Sequence, residues 1–145
     1  MNRFMIVVNP DKDTDSTVTN RIQSYLEAHG ATCMVRDVFH LEFSDWEALK
    51  KEQFGCVLVL GGDGTLLRMA GETEDIDIPL FGINLGTVGF LTEGEVANIE
   101  EILDRLLTDD FTIEERMMVT GTVTKADGTT YRKSALNDIV ISRAG

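Results

Sequence analysis

Asp63 stands among three glycines, Gly61, Gly62 and Gly64, with Thr65 next in line. Glycine puts no Cβ between main chain and ligand and reaches backbone angles closed to other residues, so Gly61-Gly62 can bring N–H groups against a phosphate. A carboxylate repels phosphate, and its presence inside an anion-binding loop points to accepting a proton or holding a metal ion. The plainer alternative is that Asp63 shapes a glycine turn or caps a helix. Arg68 lies about one helical turn past Thr65, where its guanidinium can return toward the same phosphates or stay solvated at the surface. Further on, Phe90 follows Gly86 and Gly89 in a stretch suited to contact a flat ring, where it can stack on an adenine or serve the core. Asn137-Asp138, just ahead of Ile139-Val140-Ile141, read by themselves as a turn opening a strand. His29 and His40 carry no motif. Cys33 and Cys56 have neither metal-ligand nor disulfide spacing and read as buried, reduced thiols.

The residues around Asp63 must be held by their elements. Cys56-Val57-Leu58-Val59-Leu60 is short, uncharged and β-branched; periodicity alone fits a buried helix segment as well, but the length favours a parallel strand buried on both faces. The good helix formers from Thr65 to Ala70 follow, which sets the glycines at a helix N-terminus, where unpaired N–H groups and the dipole favour anions. Upstream, Phe4 to Val8 reads as a strand closed by Asn9-Pro10. Val18, Ile22, Tyr25 and Leu26 form one helical stripe that Gly30 can end. Thr32 to Val35 is a second strand, and Ser44-x-x-Glu47 has capping-box spacing ahead of a helix through Lys50. Downstream, Ile78 to Asn84 is a further strand, with Pro79 near its start, and Val96, Ile99, Leu103 and Leu106 mark one more helix. Strand and helix in alternation predict a Rossmann-like, doubly wound α/β sheet over residues 1–110, with ligands outside the carboxyl ends of its strands. After residue 110 the period shortens. Phe111 to Val123 and Thr129 to Ser142 are strand-like about a hairpin signal at Asp127-Gly128, and residues 111–145 are expected to open an incomplete antiparallel β domain outside the first sheet.

With 25 Asp+Glu against 13 Lys+Arg the formal charge is −12, which works against nucleic-acid backbones and anionic membranes. A phosphate ligand must then be held locally, by backbone N–H groups, a few arginines and a metal ion. The N-terminal apolar run is too short for a signal peptide and no stretch is long enough to span a bilayer, so a cytoplasmic protein is expected.

Three segments in order, Gly61-Gly62-Asp63-Gly64-Thr65, then Ile83-Asn84-Leu85-Gly86-Thr87-Val88-Gly89-Phe90-Leu91-Thr92, then Leu136-Asn137-Asp138-Ile139-Val140, resemble the first three motifs of the NAD kinases. The second discriminates, because diacylglycerol and sphingosine kinases and phosphofructokinases carry loops similar to the first. The third often reads Asn-Glu in that family and here is Asn137-Asp138, a carboxylate one methylene shorter at the ribose contact. The resemblance runs from Phe4 to Arg143 and covers about half of a typical member, without the later Thr/Gly-rich segment that completes the nucleotide site.

It implies transfer of the γ-phosphoryl group of ATP, or of polyphosphate in some members, to the 2′-hydroxyl of the adenosine ribose of NAD. Asp63 would be the catalytic base. Gly61, Gly62, Gly64, Thr65 and Arg68 would bind the phosphates of ATP, with Mg²⁺ or another divalent ion as cofactor. Asp63, Gly64, Arg68, Phe90, Asn137 and Asp138 would contact NAD in one cleft, and the full-length protein would be a homo-oligomer. The 145 residues alone are expected to be nearly inactive, with Val119, Val123, Ile139, Val140 and Ile141 exposing apolar surface that favours self-association. The alternatives are a lipid or sugar kinase with the same loop, and a fragment without catalysis.

Overall fold

The computed structural model describes the backbone of residues 1–86, 94–122 and 130–140 and the side chains of 1–86 and 96–114. Four strands, β1 (Arg3–Val8), β2 (Thr32–Asp37), β3 (Cys56–Gly61) and β4 (Leu80–Asn84), lie parallel in the order β2-β1-β3-β4. Every residue of β3 and β4 is buried, because helices cover both faces of the sheet. On one face α1 (Thr17–Ala28) and α4 (Ile99–Leu107) pack Ile22, Leu26, Ile102 and Leu103 against Phe4, Ile6, Leu58 and Phe81. On the other, α2 (Phe43–Lys51) and α3 (Asp63–Glu72) pack Leu49, Leu66 and Met69 against Met5, Val7, Val57 and Leu80. Successive residues of one strand thus feed opposite cores, and the doubly wound α/β reading is borne out.

Local chemistry sets the ends of these elements. Gly30 takes the left-handed conformation (φ 88°) just past α1, the stop its position promised. At the other end of α1 the buried Asp13 carboxylate accepts from the N–H groups of Val18 (3.2 Å) and Thr19 (2.8 Å) and from the Thr19 hydroxyl (2.6 Å). Tyr25 Oη donates to Asp104 Oδ1 at 2.5 Å and ties α1 to α4, which pushes its phenol up to about 12. The capping box of α2 differs from expectation. Glu42 is the cap, and Asp45 reaches back to the Glu42 N–H at 2.9 Å, so the box is Glu42 with Asp45, not Ser44 with Glu47. Asp45 wins the N3 position because burial and an ion pair with Arg36 (2.7 Å) fix it there, whereas Glu47 pairs with Lys51 on the outer face. Neither cysteine forms a disulfide, and Cys56 is buried as expected, whereas Cys33, on β2 at the edge of the sheet, is only half-buried. Burial pushes Cys33 up to about 11 and Cys56 higher still.

The strands after residue 110 also depart from expectation. β6 (Thr112–Thr122) and β7 (Thr130–Val140) pair antiparallel, as the alternation indicated, but they do not stand outside the first sheet. β7 runs parallel to β4 with Asp138 opposite Leu80, while β5 (Gly94–Glu95) takes the same edge of β4 at Asn84. The edge of β4 is a row of unpaired main-chain groups, and the hairpin supplies partners for it. The Asp127-Gly128 turn, Val123 and Ile141 lie outside the described residues, as do the side chains of Val119, Ile139 and Val140.

Candidate functional site

β1, β3 and β4 end at one edge of the sheet. In the order β2-β1-β3-β4 the connections leave in opposite directions from β1 and β3, and in open α/β sheets ligands bind in the crevice at such a switch point. Two loop bonds hold the ends together there: the Asn9 N–H donates to the Leu60 carbonyl and the Leu85 N–H to the Gly61 carbonyl, both at 2.8 Å. The glycine segment is therefore clamped between the exits of its two neighbouring strands.

Asp63 is the first residue of α3 and Gly62 is its N-cap, so the helix starts two residues earlier than the Thr65 start read from its helix formers. The first bond within the helix runs from the Leu66 N–H to the Gly62 carbonyl (3.1 Å). The N–H groups of Gly64 and Thr65, ahead of it, have no helical carbonyl to reach and point along the positive end of the dipole. The half-buried Asp63 carboxylate stands in the same turn, stabilised by that dipole, so acid and anion-binding donors come from one turn of chain.

The three glycines serve different ends, and not by unusual dihedrals. Among the described residues the glycine at positive φ is Gly30, whereas Gly62 is extended (φ −140°, ψ −166°). Gly61 is required by contact: a Cβ there would stand 2.5 Å from Thr65 Oγ1 and 2.9 Å from Thr65 Cβ. Around Gly62 and Gly64 nothing lies within 4 Å of such a Cβ, which leaves their main chain open to a ligand. Gly61→Ala is thus expected to lose about 1–3 kcal/mol of stability by overpacking. Gly62→Ala and Gly64→Ala should fold normally, Gly64→Ala gaining up to about 1 kcal/mol, and should weaken phosphate binding instead. Thermal melts set beside ATP titrations check this, and equal destabilisation by all three would contradict it.

A cleft of about 340 Å³ opens on the β1 side of this turn, walled by Asn9, Lys12, Phe39, Gly62, Gly64 and Arg68. Arg68 reaches it from α3, with its guanidinium 5.3 Å above the Phe39 ring and 3.3 Å from Glu72. Asn9, Lys12 and Phe39 escaped the sequence reading. The exit of β1 at Asn9 was a usable signal, since parallel strands share an edge, but the approach of Phe39 depends on the β2 turn. There Asp37 accepts from the Phe39 N–H at 2.8 Å and meets the His40 ring at 3.0 Å. Slight burial raises the Asp37 carboxyl, and those two bonds outweigh it and hold the group below its ordinary value.

Of the remaining assigned residues, Phe90 lies outside the described residues. Asn137 and Asp138 lie within β7, near its end and paired to β6, not in a turn that opens a strand, and Asp138 is level with the first residue of β4. Asn84, the last residue of β4, is level with Gly61. Four residues of strand, about 13 Å, separate those levels, so the backbone sets Asp63 and the Asn137-Asp138 pair at opposite ends of β4, although α3 also packs beside β7.

Comparison with known proteins agrees with this frame. A model of the ATP-NAD kinase N-terminal domain matches residues 4–111. NAD kinases of Lachnoclostridium phytofermentans and Lachnospira eligens are 40% and 38% identical over the whole chain, which covers 52% and 51% of their lengths. That of Agathobacter rectalis is 40% identical, again over all of this chain and 51% of its own. The chain thus spans about half the length of these relatives. In fold it resembles a crystal structure of yeast NADH kinase complexed with NADH, at TM-score 0.58 and 11% identity, over 92% of this chain and 46% of that one. With the family's N-terminal domain running through the strand, the glycine turn and α3, and relatives alike along its full length, the chain belongs to the NAD kinase family.

Proposed function

We propose that the protein carrying this chain phosphorylates NAD at the 2′-hydroxyl of its adenosine ribose, with ATP as donor. The observation that carries the reading is Asp63 at the first position of α3, between two glycines whose Cβ side is open, at the sheet's switch point. In the reaction the ribose oxygen forms a bond to the γ-phosphorus, the bond from that phosphorus to the β,γ-bridging oxygen breaks, and ADP leaves. The hydroxyl proton passes to Asp63, because a secondary alcohol is a poor nucleophile until its proton is taken. Gly62, Gly64 and Thr65 donate N–H groups to the phosphates, and Gly61 lets Thr65 pack beneath them. Arg68 and Lys12 add positive charge at the cleft. Asn137 and Asp138 are proposed for the acceptor on their motif alone, and, lying toward the other end of β4 from Asp63, for a part of it away from the reacting hydroxyl; Phe90 is proposed for its ring.

Among the described residues no three His, Cys, Asp or Glu side chains gather as a metal site, and Asp63 is the carboxylate at the turn. A divalent ion would therefore be held chiefly by the ATP phosphates, with Asp63 within its neighbourhood, and would neutralise charge on the transferring group. Among the described residues no helix is long and apolar enough to cross a membrane. The reading carries with it a cytoplasmic, homo-oligomeric protein without a nucleic-acid partner, the last supported by the −12 charge.

The test is an acceptor comparison: ATP with NAD, diacylglycerol or fructose 6-phosphate, each product separated and quantified. NADP formation is expected, with no transfer to lipid or sugar. Transfer to either of those in place of NAD would overturn the reading.

A further inference from the structure

The geometry points to a separate seat for the base of the donor nucleotide: the aromatic cleft between α2 and α3, on the β1 and β2 side of the glycine turn, takes the adenine of ATP, leaving the β4 side to NAD. This rests on the proposed activity and deepens it by assigning each substrate its side.

The cleft has a volume of about 370 Å³ and is lined by Phe39, Phe43, Trp46, Arg68, Glu72 and Asp75 among others. Val38, Phe39 and Arg68 also line the phosphate cleft, so the two are continuous along one wall. Phe43 is 77% exposed and Phe39 46% exposed, an unusual placement for two large apolar rings beside a charged groove. Apolar rings left in water beside a polar turn suit a flat ligand that covers them. Arg68, held over Phe39, presents a planar cation at the junction, where a nucleotide passes from ring to phosphate.

Charge gives the ligand its direction. At the turn end stand Lys12, Arg68 and the main chain of Gly62 and Gly64, which line the cleft with nothing within 4 Å of where a Cβ would stand. Beyond Arg68 the lining turns to Glu72, which Arg68 already pairs at 3.3 Å, to Lys50 of α2 and to Asp75, a carboxylate that accepts N–H bonds of the kind an adenine amine offers. Phosphate toward Gly62 and base toward Trp46 is the orientation that satisfies both ends. The opposite orientation would take a triphosphate away from Lys12 and the glycine turn to a rim where Glu72 and Asp75 oppose the single charge of Lys50. The first βα loop offers no competing site, because the N-terminus of α1 is already filled by Asp13.

Trp46 is the one tryptophan among the 145 residues and reports on this cleft. The experiment follows its emission, as the signal lost in Trp46→Phe, during titration with ATP, inorganic tripolyphosphate or NAD, with kinetics in parallel. ATP is expected to quench it. Tripolyphosphate, which has phosphates and no base, should leave it unchanged while competing with ATP. Phe43→Ala, at an exposed position that the fold does not depend on, should raise the KM for ATP about 5-fold or more, as loss of a base-stacking ring does, with NAD and tripolyphosphate within twofold. Saturation by ATP without a Trp46 response, quenching by NAD in place of ATP, or an unchanged ATP KM in both Phe43→Ala and Phe39→Ala would overturn the assignment. NADP formation with unchanged ATP KM in those variants removes the adenine seat and leaves the activity standing. ATP-dependent quenching without NADP formation does the reverse.

Discussion

Asp63→Asn is expected to lower turnover by about 10² to 10⁴, the usual cost of removing a general base, while ATP affinity stays the same or tightens. Asparagine keeps the size of aspartate and can still hydrogen-bond, but it cannot take up the ribose proton. Removing a negative charge from the first turn of α3 also removes repulsion of the phosphates held by Gly64 and Thr65, so binding and rate should move in different directions. The fold should lose little, since an acid in the first helical turn contributes about 0.3–1 kcal/mol. Steady-state kinetics beside ATP titration separate these effects. Turnover within about tenfold of wild type would remove Asp63 from the catalytic role, and a parallel loss of turnover and affinity would make it a structural cap.

Phe81→Ala should be the most damaging truncation in the core. Phe81, the second residue of β4, is fully buried and packs in the cluster beneath α1 and α4 with Phe4, Leu58, Ile102 and Leu103. Loss of a buried phenylalanine costs about 3–5 kcal/mol through lost burial and the cavity left behind. A domain of this size is stable by about 5–15 kcal/mol, so the variant should fall to marginal stability. The effect should reach the site, because the exit of β4 holds the glycine turn through the Leu85 bond to Gly61. Urea unfolding checks the claim: the midpoint should drop at unchanged slope. A loss below about 1 kcal/mol would show that β4 is not packed as described.

The parts legible in the sequence were those fixed by near neighbours. Cys56 to Leu60 read as a strand because an uncharged β-branched run bounded by glycines has few other uses, and Gly30 read as a stop because little else tolerates its φ. The glycine loop was placed correctly, but the reason for Gly61 was not. Its contact is with Thr65, four residues on, and becomes visible only when α3 is started at Asp63. The α2 capping box went astray because Glu42 with Asp45 and Ser44 with Glu47 have the same spacing, and burial of Asp45 chooses between them. Two features were out of reach because they are long-range. The pairing of β7 with β4 joins Leu80 to Asp138, and the cleft wall joins Lys12 and Phe39 to Arg68. Periodicity shows that a strand exists and says nothing of which edge it will take.

The central claim is that the Gly62–Thr65 turn at the head of α3 holds the donor's phosphates, with Asp63 beside them. Backbone amide shifts recorded by NMR during titration with ATP test it most directly. The account predicts the largest changes at Gly62, Asp63, Gly64 and Thr65, with those of Thr17 to Thr19 at the Asp13-capped head of α1 unmoved. Shifts concentrated at the head of α1, with the glycine turn silent at saturating ATP, would contradict it.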